Sequence, residues 1–299
     1  MLDSTRKLLA GLVAEETLPD QFMALTERWY APLARWLAAR YQASPGGALL
    51  VGVHGAQGSG KTTLCQVLEL LLAELNLSAV TLSLDDFYLT HPERMALAEA
   101  VHPLLQTRGV PGTHDLGMLN TTLDALLAGD GAVVPRFDKS ADDRLPRHDW
   151  WQLPTAEIVL LEGWCVGCAA QTEAELRYPV NALEEIEDAN GVWRNYVNGQ
   201  LAQDYAALFA RLDELVMLQA PSLRAVLEWR SLQEKKLVDV SGQQQAGTAV
   251  MNDAALRRFL QHYERITRHS LATLPPRVDY LLRLDEQHCI ASAEHKHRI

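Results

Sequence analysis

The sequence has no long apolar run, few cysteines and a shortage of basic residues. No stretch approaches the roughly 20 apolar residues that cross a bilayer, and the N-terminus lacks the charged, apolar and small-residue order of a secretion signal. Four cysteines in 299 residues are too few and too scattered for a disulfide framework. These absences predict a cytoplasmic protein that does not insert into membranes.

Basic residues are outnumbered by acidic ones, since 27 Lys and Arg against 38 Asp and Glu give a formal net charge of -11. A nucleic-acid-binding protein needs a basic surface to displace counterions from phosphates, and no basic stripe is visible. The composition therefore argues against nucleic acid as a partner. A small anionic substrate remains compatible with it, because a few placed cations decide such binding locally.

The cysteine pattern gives little evidence for a metal or redox site. Cys165 and Cys168 form a C-x-x-C, but no second pair and no flanking redox pattern accompany it. We interpret the two residues as small side chains that follow a buried strand. Metal-binding side chains also occur near the C-terminus, at His288, Cys289, His295 and His297, but we interpret them as parts of a polar, frayed tail.

The order of apolar segments predicts one α/β domain with a helical extension. Residues up to Tyr41 have apolar side chains at helical spacing, and Pro19 separates two predicted helices. We expect residues 1–46 to pack as an N-terminal extension on a main domain of residues 47–299. Five apolar runs are predicted as strands: Leu49–Val53, Val80–Leu84, Ile158–Leu161, Leu215–Leu218 and Tyr280–Leu284. Helical patterns between them predict a doubly wound, mainly parallel sheet with helices on both faces.

A glycine-rich segment between the first strand and the next helix matches a phosphate-binding loop. Gly55–Thr62 fits G-x-x-x-x-G-K-[ST] without a mismatch. Its glycines let backbone N–H groups turn toward phosphate oxygens, Lys61 can reach the β- and γ-phosphates, and Thr62 can ligate Mg²⁺. The predicted nucleotide-binding residues are Gly55, Ala56, Gln57, Gly58, Ser59, Gly60, Lys61, Thr62 and Thr63. ATP and Mg²⁺ are the expected cofactors, but the loop alone leaves the choice between ATP and GTP open and does not separate a kinase from an ATPase, a GTPase or a motor.

Acidic residues follow the second and third predicted strands. Asp85 and Asp86 end the second strand, and Glu162 ends the third. Ligands of an open α/β sheet lie beyond the carboxyl ends of its strands, so these acids should face the phosphate loop. One of the two aspartates could accept the proton of an attacking hydroxyl while the other caps the next segment. Glu162 has the position of a Walker-B acid beside Mg²⁺.

A charged segment lies between these two strands. It contains Asp138, Lys139, Asp142, Asp143 and Arg144. Placed cations in an acidic protein suit an anionic acceptor, because a guanidinium pairs well with a carboxylate. From charge alone, a solvated loop with internal salt bridges is the favoured interpretation.

These motifs, in this order, resemble the uridine kinase, phosphoribulokinase and pantothenate kinase group of P-loop kinases. Further stretches resemble the plant-type D-glycerate 3-kinases and their bacterial and fungal relatives. These stretches are Arg108–Asp115, Gly191–Asn198, Trp229-Arg230 with Gln233-Glu234, and His262–Arg268. The resemblance covers the chain from about Gly47 to Leu284.

The resemblance implies transfer of the ATP γ-phosphate to the 3-hydroxyl of D-glycerate. It assigns the base to Asp85 and leaves Asp86 as a partner of Mg²⁺, together with Thr62 and Glu162. It implies a lid at about residues 222–252, in which Arg224 or Arg230 neutralises the transferring phosphoryl group, and we select Arg230. It also places Asp138, Lys139 and Arg144 in the acceptor pocket.

Two other functions stay open at this point. The acceptor could be another alcohol, such as a nucleoside, a pantothenate-like molecule or a sugar, because this fold group phosphorylates several unrelated alcohols. The chain could also be an ATP-binding regulator without transfer activity. Lys61, Thr62, Asp85 and Glu162 are all present, which argues against a site that has lost its chemistry.

Overall fold

The computed structural model describes residues 1–19, 21–44, 46–230, 232 and 253–296. Its strands are β1 Leu49–Gly55, β2 Ala79–Ser83, β3 Ala132–Val134, β4 Phe137–Asp138, β5 Asp143–Arg144, β6 Trp151–Leu153, β7 Ile158–Gly163, β8 Glu214–Gln219, β9 Tyr280–Leu284 and β10 Ile290–His295. Six of them form one sheet in the order β10-β9-β8-β1-β7-β2. All neighbours in this sheet are parallel except β9 and β10. The predicted α/β fold with a mainly parallel sheet is confirmed.

Helices cover this sheet and connect its strands. They are α1 Asp3–Glu15, α2 Phe22–Leu25, α3 Ala31–Ala43, α4 Lys61–Glu74, α5 His91–Ala100, α6 Leu116–Leu127, α7 Glu173–Leu176, α8 Ala182–Glu187, α9 Val192–Ala202, α10 Asp204–Phe209, α11 at residues 223–230 and α12 Asp253–Thr273. A π-helical turn, Thr26–Tyr30, joins α2 to α3. No helix of the described residues is long and apolar enough to cross a bilayer.

The central strands are buried on both faces, which explains their continuous apolar runs. Successive side chains of a strand point to opposite faces, and β1 shows this directly. Leu49, Val51 and Val53 belong to the core cluster that α3 and α4 complete. Leu50 belongs to the other cluster, with residues of α6 and α9. The sheet therefore separates two apolar cores.

The N-terminal helices pack on the α4 side of the sheet. Leu9 of α1 and Leu33 and Leu37 of α3 are fully buried in the same cluster as the odd residues of β1. The Arg40 guanidinium also pairs with the buried carboxylate of Glu214 at the start of β8. Helices α1 and α3 thus contribute to the core of the sheet domain, and the division into an extension of residues 1–46 and a main domain of residues 47–299 stays a prediction.

Two features of the C-terminal and inserted segments differ from the sequence prediction. Residues 290–295 form β10 at the sheet edge, so the prediction of a frayed tail is wrong for them, while His297 lies outside the described residues. Trp36 covers this edge, with its ring 5.3 Å from that of Tyr280 and 6.4 Å from that of His295. Between β2 and β7, β4 and β5 form a short hairpin in the charged segment that was expected to be a loop, and β3 and β6 pair antiparallel on either side of it.

The structure describes only part of the predicted lid at residues 222–252. Residues 223–230 are helical, and Leu232 has a helical backbone. Gln233, Glu234 and the predicted loop at residues 243–247 lie outside the described residues.

Candidate active site

The phosphate loop joins the carboxyl end of β1 to the amino end of α4. Gly58 and Gly60 have positive φ angles of 76° and 89°, which side-chain-bearing residues rarely adopt, so the glycines are required by the backbone. Helix α4 begins at Lys61 without a side-chain cap. Its first N–H groups and its positive dipole end are therefore available to an anion such as a phosphate.

Polar side-chain atoms in this loop are buried without a hydrogen-bond partner in the described residues. They are both amide atoms of Gln57 and the hydroxyl of Ser59. Burying such atoms unpaired is unfavourable, and native sites usually satisfy them with a ligand or water. The loop thus has the composition of a site that a nucleotide completes.

Glu162 lies next to the phosphate loop, as its position after β7 predicts. Thr62 Oγ1 donates to Glu162 Oε1 at 3.0 Å, and Lys61 Nζ lies 3.8 Å from Glu162 Oε2. Glu162 is buried, and its Oε2 has no hydrogen-bond partner among the described residues. A hydroxyl beside a buried carboxylate whose second oxygen accepts no hydrogen bond from the described residues fits Mg²⁺, which prefers oxygen ligands.

The described residues hold no group of three or more His, Cys, Asp or Glu side chains that could bind a metal ion alone. Mg²⁺ in phosphoryl-transfer sites needs only one or two carboxylates, because substrate phosphates and water complete its shell. Thr62 and Glu162 are therefore sufficient for a nucleotide-dependent site.

Asp85 and Asp86 lie on a 3₁₀ turn, Leu84–Phe87, directly after β2. Strand β2 neighbours β7, so this turn borders the end of β7 that carries Glu162. Asp85 Oδ1 accepts a hydrogen bond from Tyr88 Oη at 2.6 Å, and Oδ2 accepts one from Lys139 Nζ at 2.7 Å. Burial opposes ionisation of Asp85, but the charges of Lys139 and Lys61 and these two hydrogen bonds outweigh it and lower its pKa. Asp85 is thus held as a carboxylate.

Asp86 has the opposite electrostatic environment. Burial raises its pKa to about 6. The Phe137 N–H, which donates to Asp86 Oδ1 at 3.2 Å, opposes this shift, and the nearby charge of Asp85 adds to it. The two adjacent acids therefore differ in role. Asp85 is the more strongly ionised of the pair, and Asp86 anchors the backbone of the β4–β5 hairpin.

The three predicted acceptor residues lie on the β4–β5 hairpin, but in different environments. Lys139 is exposed and pairs with Asp85, as above. Arg144 is mostly buried and donates to the carbonyl oxygen of Tyr88 at 2.8 Å, while its Nε has no partner among the described residues. Asp138 Oδ1 accepts the Ser140 N–H at 2.8 Å and a bond from the Ser140 hydroxyl, so it stabilises its own turn. Lys139 contacts Asp85 directly, Arg144 contacts Tyr88 and Asp115, and the contacts of Asp138 are local.

The two lid arginines are placed differently. Arg224 is exposed and lies 3.7 Å from Glu228 and 3.9 Å from Glu286. Arg230 is half-buried, and its backbone packs against Gly58 of the phosphate loop. The approach is so close that a Cβ atom on Gly58 would lie 3.4 Å from the Arg230 backbone nitrogen. The end of helix α11 that contains Arg230 therefore packs against the phosphate loop, and the selection of Arg230 stays a prediction.

Several side chains around Asp85 were not singled out by the sequence. Tyr88 donates to Asp85, and the ring of Tyr88 lies 4.8 Å from that of His114. Arg108 pairs with Asp142, and its guanidinium lies 5.5 Å from the Phe137 ring centroid. Arg108 and His114 both fall in the 108–115 stretch that carries the family resemblance, which was the available signal.

Cys165 and Cys168 are buried and free, and the Cys168 N–H donates to the Cys165 carbonyl in a tight turn after β7. Burial raises the pKa of both thiols, that of Cys168 to about 12. Neutral, buried thiols are poor nucleophiles and poor metal ligands. This agrees with the interpretation of the pair as small packing residues.

A phosphate loop, a Walker-B acid and a carboxylate at the next strand end, on a mainly parallel sheet, define a P-loop kinase. Comparison with known proteins agrees. The chain is 35% identical over 234 residues to an uncharacterized kinase (mug58) of Schizosaccharomyces pombe, covering 73% of this chain and 79% of that one. It is 31% identical over 238 residues to the chloroplastic D-glycerate 3-kinase of Arabidopsis thaliana, covering 76% of this chain and 48% of the plant protein.

A solved structure of D-glycerate 3-kinase from Cryptococcus neoformans var. grubii serotype A superposes on this fold with a TM-score of 0.74. It has 25% sequence identity and covers 91% of this chain and 99% of the fungal one. No family model matches the chain. The chain belongs to the D-glycerate 3-kinase-like family of P-loop kinases, which are ATP-dependent phosphotransferases.

Proposed function

We propose that the protein transfers the γ-phosphate of ATP to the 3-hydroxyl of D-glycerate, giving 3-phosphoglycerate. Two relatives named D-glycerate 3-kinase support this acceptor. The observation that carries the proposal is the environment of Asp85. This ionised carboxylate pairs with Lys139 and follows β2, which only β7 separates from β1 and its phosphate loop. A base for a hydroxyl and a cation for a carboxylate are what a small hydroxy acid requires.

On the nucleotide side, the residues of the chain bind and orient ATP. The loop N–H groups and Lys61 hold the β- and γ-phosphates, and Arg230 approaches from the lid to neutralise the transferring group. Thr62 and Glu162 would hold Mg²⁺, with Asp86 as a partner of its bound water, and the ion would offset charge on the phosphate oxygens. Gln57 and Ser59 supply further hydrogen-bonding groups to the nucleotide.

On the acceptor side, Asp85 orients the hydroxyl and takes its proton. The hydroxyl oxygen forms the new bond to the γ-phosphorus as the bond to the β,γ-bridging oxygen breaks, and the negative charge passes to the β-phosphate of ADP. The proton moves to the Asp85 oxygen that Lys139 occupies in the free protein. Lys139 is exposed, so its ammonium can turn to the carboxylate of the acceptor when that molecule binds.

The experiment is an ADP-release assay over a panel of acceptors that contains D-glycerate, L-glycerate, uridine, pantothenate and fructose. We expect turnover with D-glycerate to exceed that with every other member. Turnover with a nucleoside, pantothenate or sugar instead would keep the kinase and change its acceptor. ATP binding without turnover for any member would favour a regulator without transfer activity, which the presence of Asp85 and Glu162 argues against. The cytoplasmic location stays a prediction.

A further inference from the structure

His114 carries a buried hydrogen-bonding atom with no partner in the described residues. The residue is 6% exposed, and its Nε2 makes no hydrogen bond within the described part of the chain. Its other ring nitrogen, Nδ1, lies 2.6 Å from the hydroxyl oxygen of Tyr205. Native proteins satisfy nearly all buried polar side-chain atoms, so this one requires an explanation.

The hydrogen bonds of Tyr205 assign the tautomer of His114. The Tyr205 hydroxyl oxygen accepts the N–H of Gly112 at 3.1 Å. Its own proton then has His114 Nδ1 as its acceptor, which leaves the single proton of a neutral imidazole on Nε2. Burial lowers the pKa of His114 to about 4, so the ring is neutral near pH 7. The unpaired atom is therefore an N–H donor that needs an acceptor.

The His114 side chain is connected to the candidate base through Tyr88. The segments 87–89 and 113–115 run side by side, with the Leu89 N–H on the Thr113 carbonyl at 2.9 Å and the Asp115 N–H on the Phe87 carbonyl at 2.7 Å. The His114 ring contacts that of Tyr88, whose hydroxyl donates to Asp85. The charge of Asp85 acts directly on His114, where it favours protonation.

We propose that His114 is an acceptor-binding residue whose Nε2–H donates to an oxygen of the hydroxy acid, and that Tyr205 is a positioning residue that fixes the required tautomer. This inference rests on the proposed function, because it assigns one contact of the same acceptor site. A neutral donor of this kind binds an oxygen and adds no charge next to Asp85, where a further cation besides Lys139 and Lys61 would weaken the base.

Two substitutions separate the donor from the rest of the side chain. In His114→Asn, the amide can still bond Tyr205, but nothing replaces Nε2–H. In His114→Gln, the longer amide can place an N–H near the original Nε2 position. We expect His114→Asn to raise the acceptor KM by about 10- to 100-fold, with the ATP KM within twofold, and His114→Gln to recover most of the loss.

His262 provides a matched control. It is also buried, its Nε2 also lacks a partner in the described residues, and burial also lowers its pKa to about 4. It lies in a small cavity between α9 and α12, against Trp193, and takes no part in the proposed site. His262→Asn should therefore leave the acceptor KM unchanged. An equal rise in both asparagine variants, or a wild-type acceptor KM in folded His114→Asn, would overturn the proposal.

A binding measurement covers the case in which His114→Asn does not fold. In ¹⁵N-labelled wild-type protein, the acceptor should shift the His114 Nε2–H resonance and leave that of the His262 ring unmoved. An unmoved His114 resonance at saturating acceptor would contradict the proposal. Absence of turnover with every hydroxy acid would instead remove the proposed function, so the two failures are distinguishable.

Discussion

The nucleotide half and the acceptor half of the site are built in different ways. The nucleotide half comes from one contiguous loop, Gly55–Thr62, and the neighbouring Glu162, which is buried beside Thr62. The acceptor half comes from side chains of separate segments, including Asp85, His114 and Lys139. The nucleotide half consists mainly of backbone groups. The acceptor half consists of side-chain pairs that can exchange one partner for a ligand.

This difference has a functional meaning. A preformed cradle of backbone N–H groups suits phosphates, which every nucleotide substrate shares. An ion pair such as Lys139–Asp85 is half exposed on the lysine side and can be exchanged for contacts to an incoming anion. Changes in the nucleotide half should therefore reduce turnover with any acceptor, whereas changes in the acceptor half should act mainly on acceptor affinity or on proton transfer.

The largest effect is expected for Lys61→Ala. Removal of the ammonium takes away a phosphate contact that strengthens in the transition state, so kcat should fall by at least about 10³-fold and the ATP KM should rise. Steady-state kinetics at varied ATP measures both. Lys7→Ala on the exposed face of α1 is the matched control, and a loss in the control equal to that in Lys61→Ala would refute a specific role.

Asp85→Asn tests the proposed base, the residue of the acceptor half that acts at the point where phosphate transfer occurs. The amide cannot accept the hydroxyl proton, so kcat should fall at least about 10²-fold while ATP binding stays close to that of the wild type. Isothermal titration with ATP and kinetics with the acceptor separate these quantities. If Asp86→Asn lowered kcat more than Asp85→Asn, the base would be Asp86 and the assignment would be reversed.

Lys139→Met probes the exchangeable cation. Loss of the ammonium should raise the acceptor KM about 10-fold, the size of one charge-assisted hydrogen bond, and leave the ATP KM unchanged. The exposed Lys7 again supplies the control, as Lys7→Met. Equal changes in the two KM values would place Lys139 outside the acceptor half.

The smallest effect is a loss of folding stability at acid pH, caused by a histidine in the nucleotide half. His54 of β1 is fully buried and donates from Nδ1 to the Val166 carbonyl, and burial lowers its pKa to about 4. The unfolded chain, with an ordinary pKa near 6.5, binds the proton first as the pH falls, so stability is lost between about pH 6.5 and 4. For each such histidine, the free energy of unfolding should fall by about 2 kcal/mol between pH 7.5 and pH 5.0.

His54→Asn keeps a donor for Val166 without a titrating ring. Denaturant unfolding of the two proteins at pH 7.5 and 5.0 should show a smaller acid loss in the variant. An unchanged loss would mean that His54 does not titrate in this range. His114→Asn makes the same comparison for the acceptor half.

The sequence predicted the central sheet well because burial on both faces produces unmistakable apolar runs, as in Leu49–Val53 and Ile158–Leu161. It did not predict β10, whose Ala, Ser, Glu and His residues give no apolar run. That strand is held by backbone pairing with β9 and by the cover of Trp36, which are contacts between distant parts of the chain.

The same limit applied to the site. The phosphate loop is a local motif, so its residues and spacing were readable. The pairing of His114 with Tyr205 spans 91 residues, and that of Lys139 with Asp85 spans 54. Such partners depend on how the segment between β2 and β7 folds back, which the charge pattern of a loop does not specify.

The most direct test of the account is a ³¹P NMR record of ATP and D-glycerate incubated with the wild-type protein and with Asp85→Asn. The account predicts one new phosphomonoester resonance, formed in equal amount with ADP, and its near absence with the variant. Formation of ADP and inorganic phosphate without an ester, or an ester formed equally well by Asp85→Asn, would contradict it.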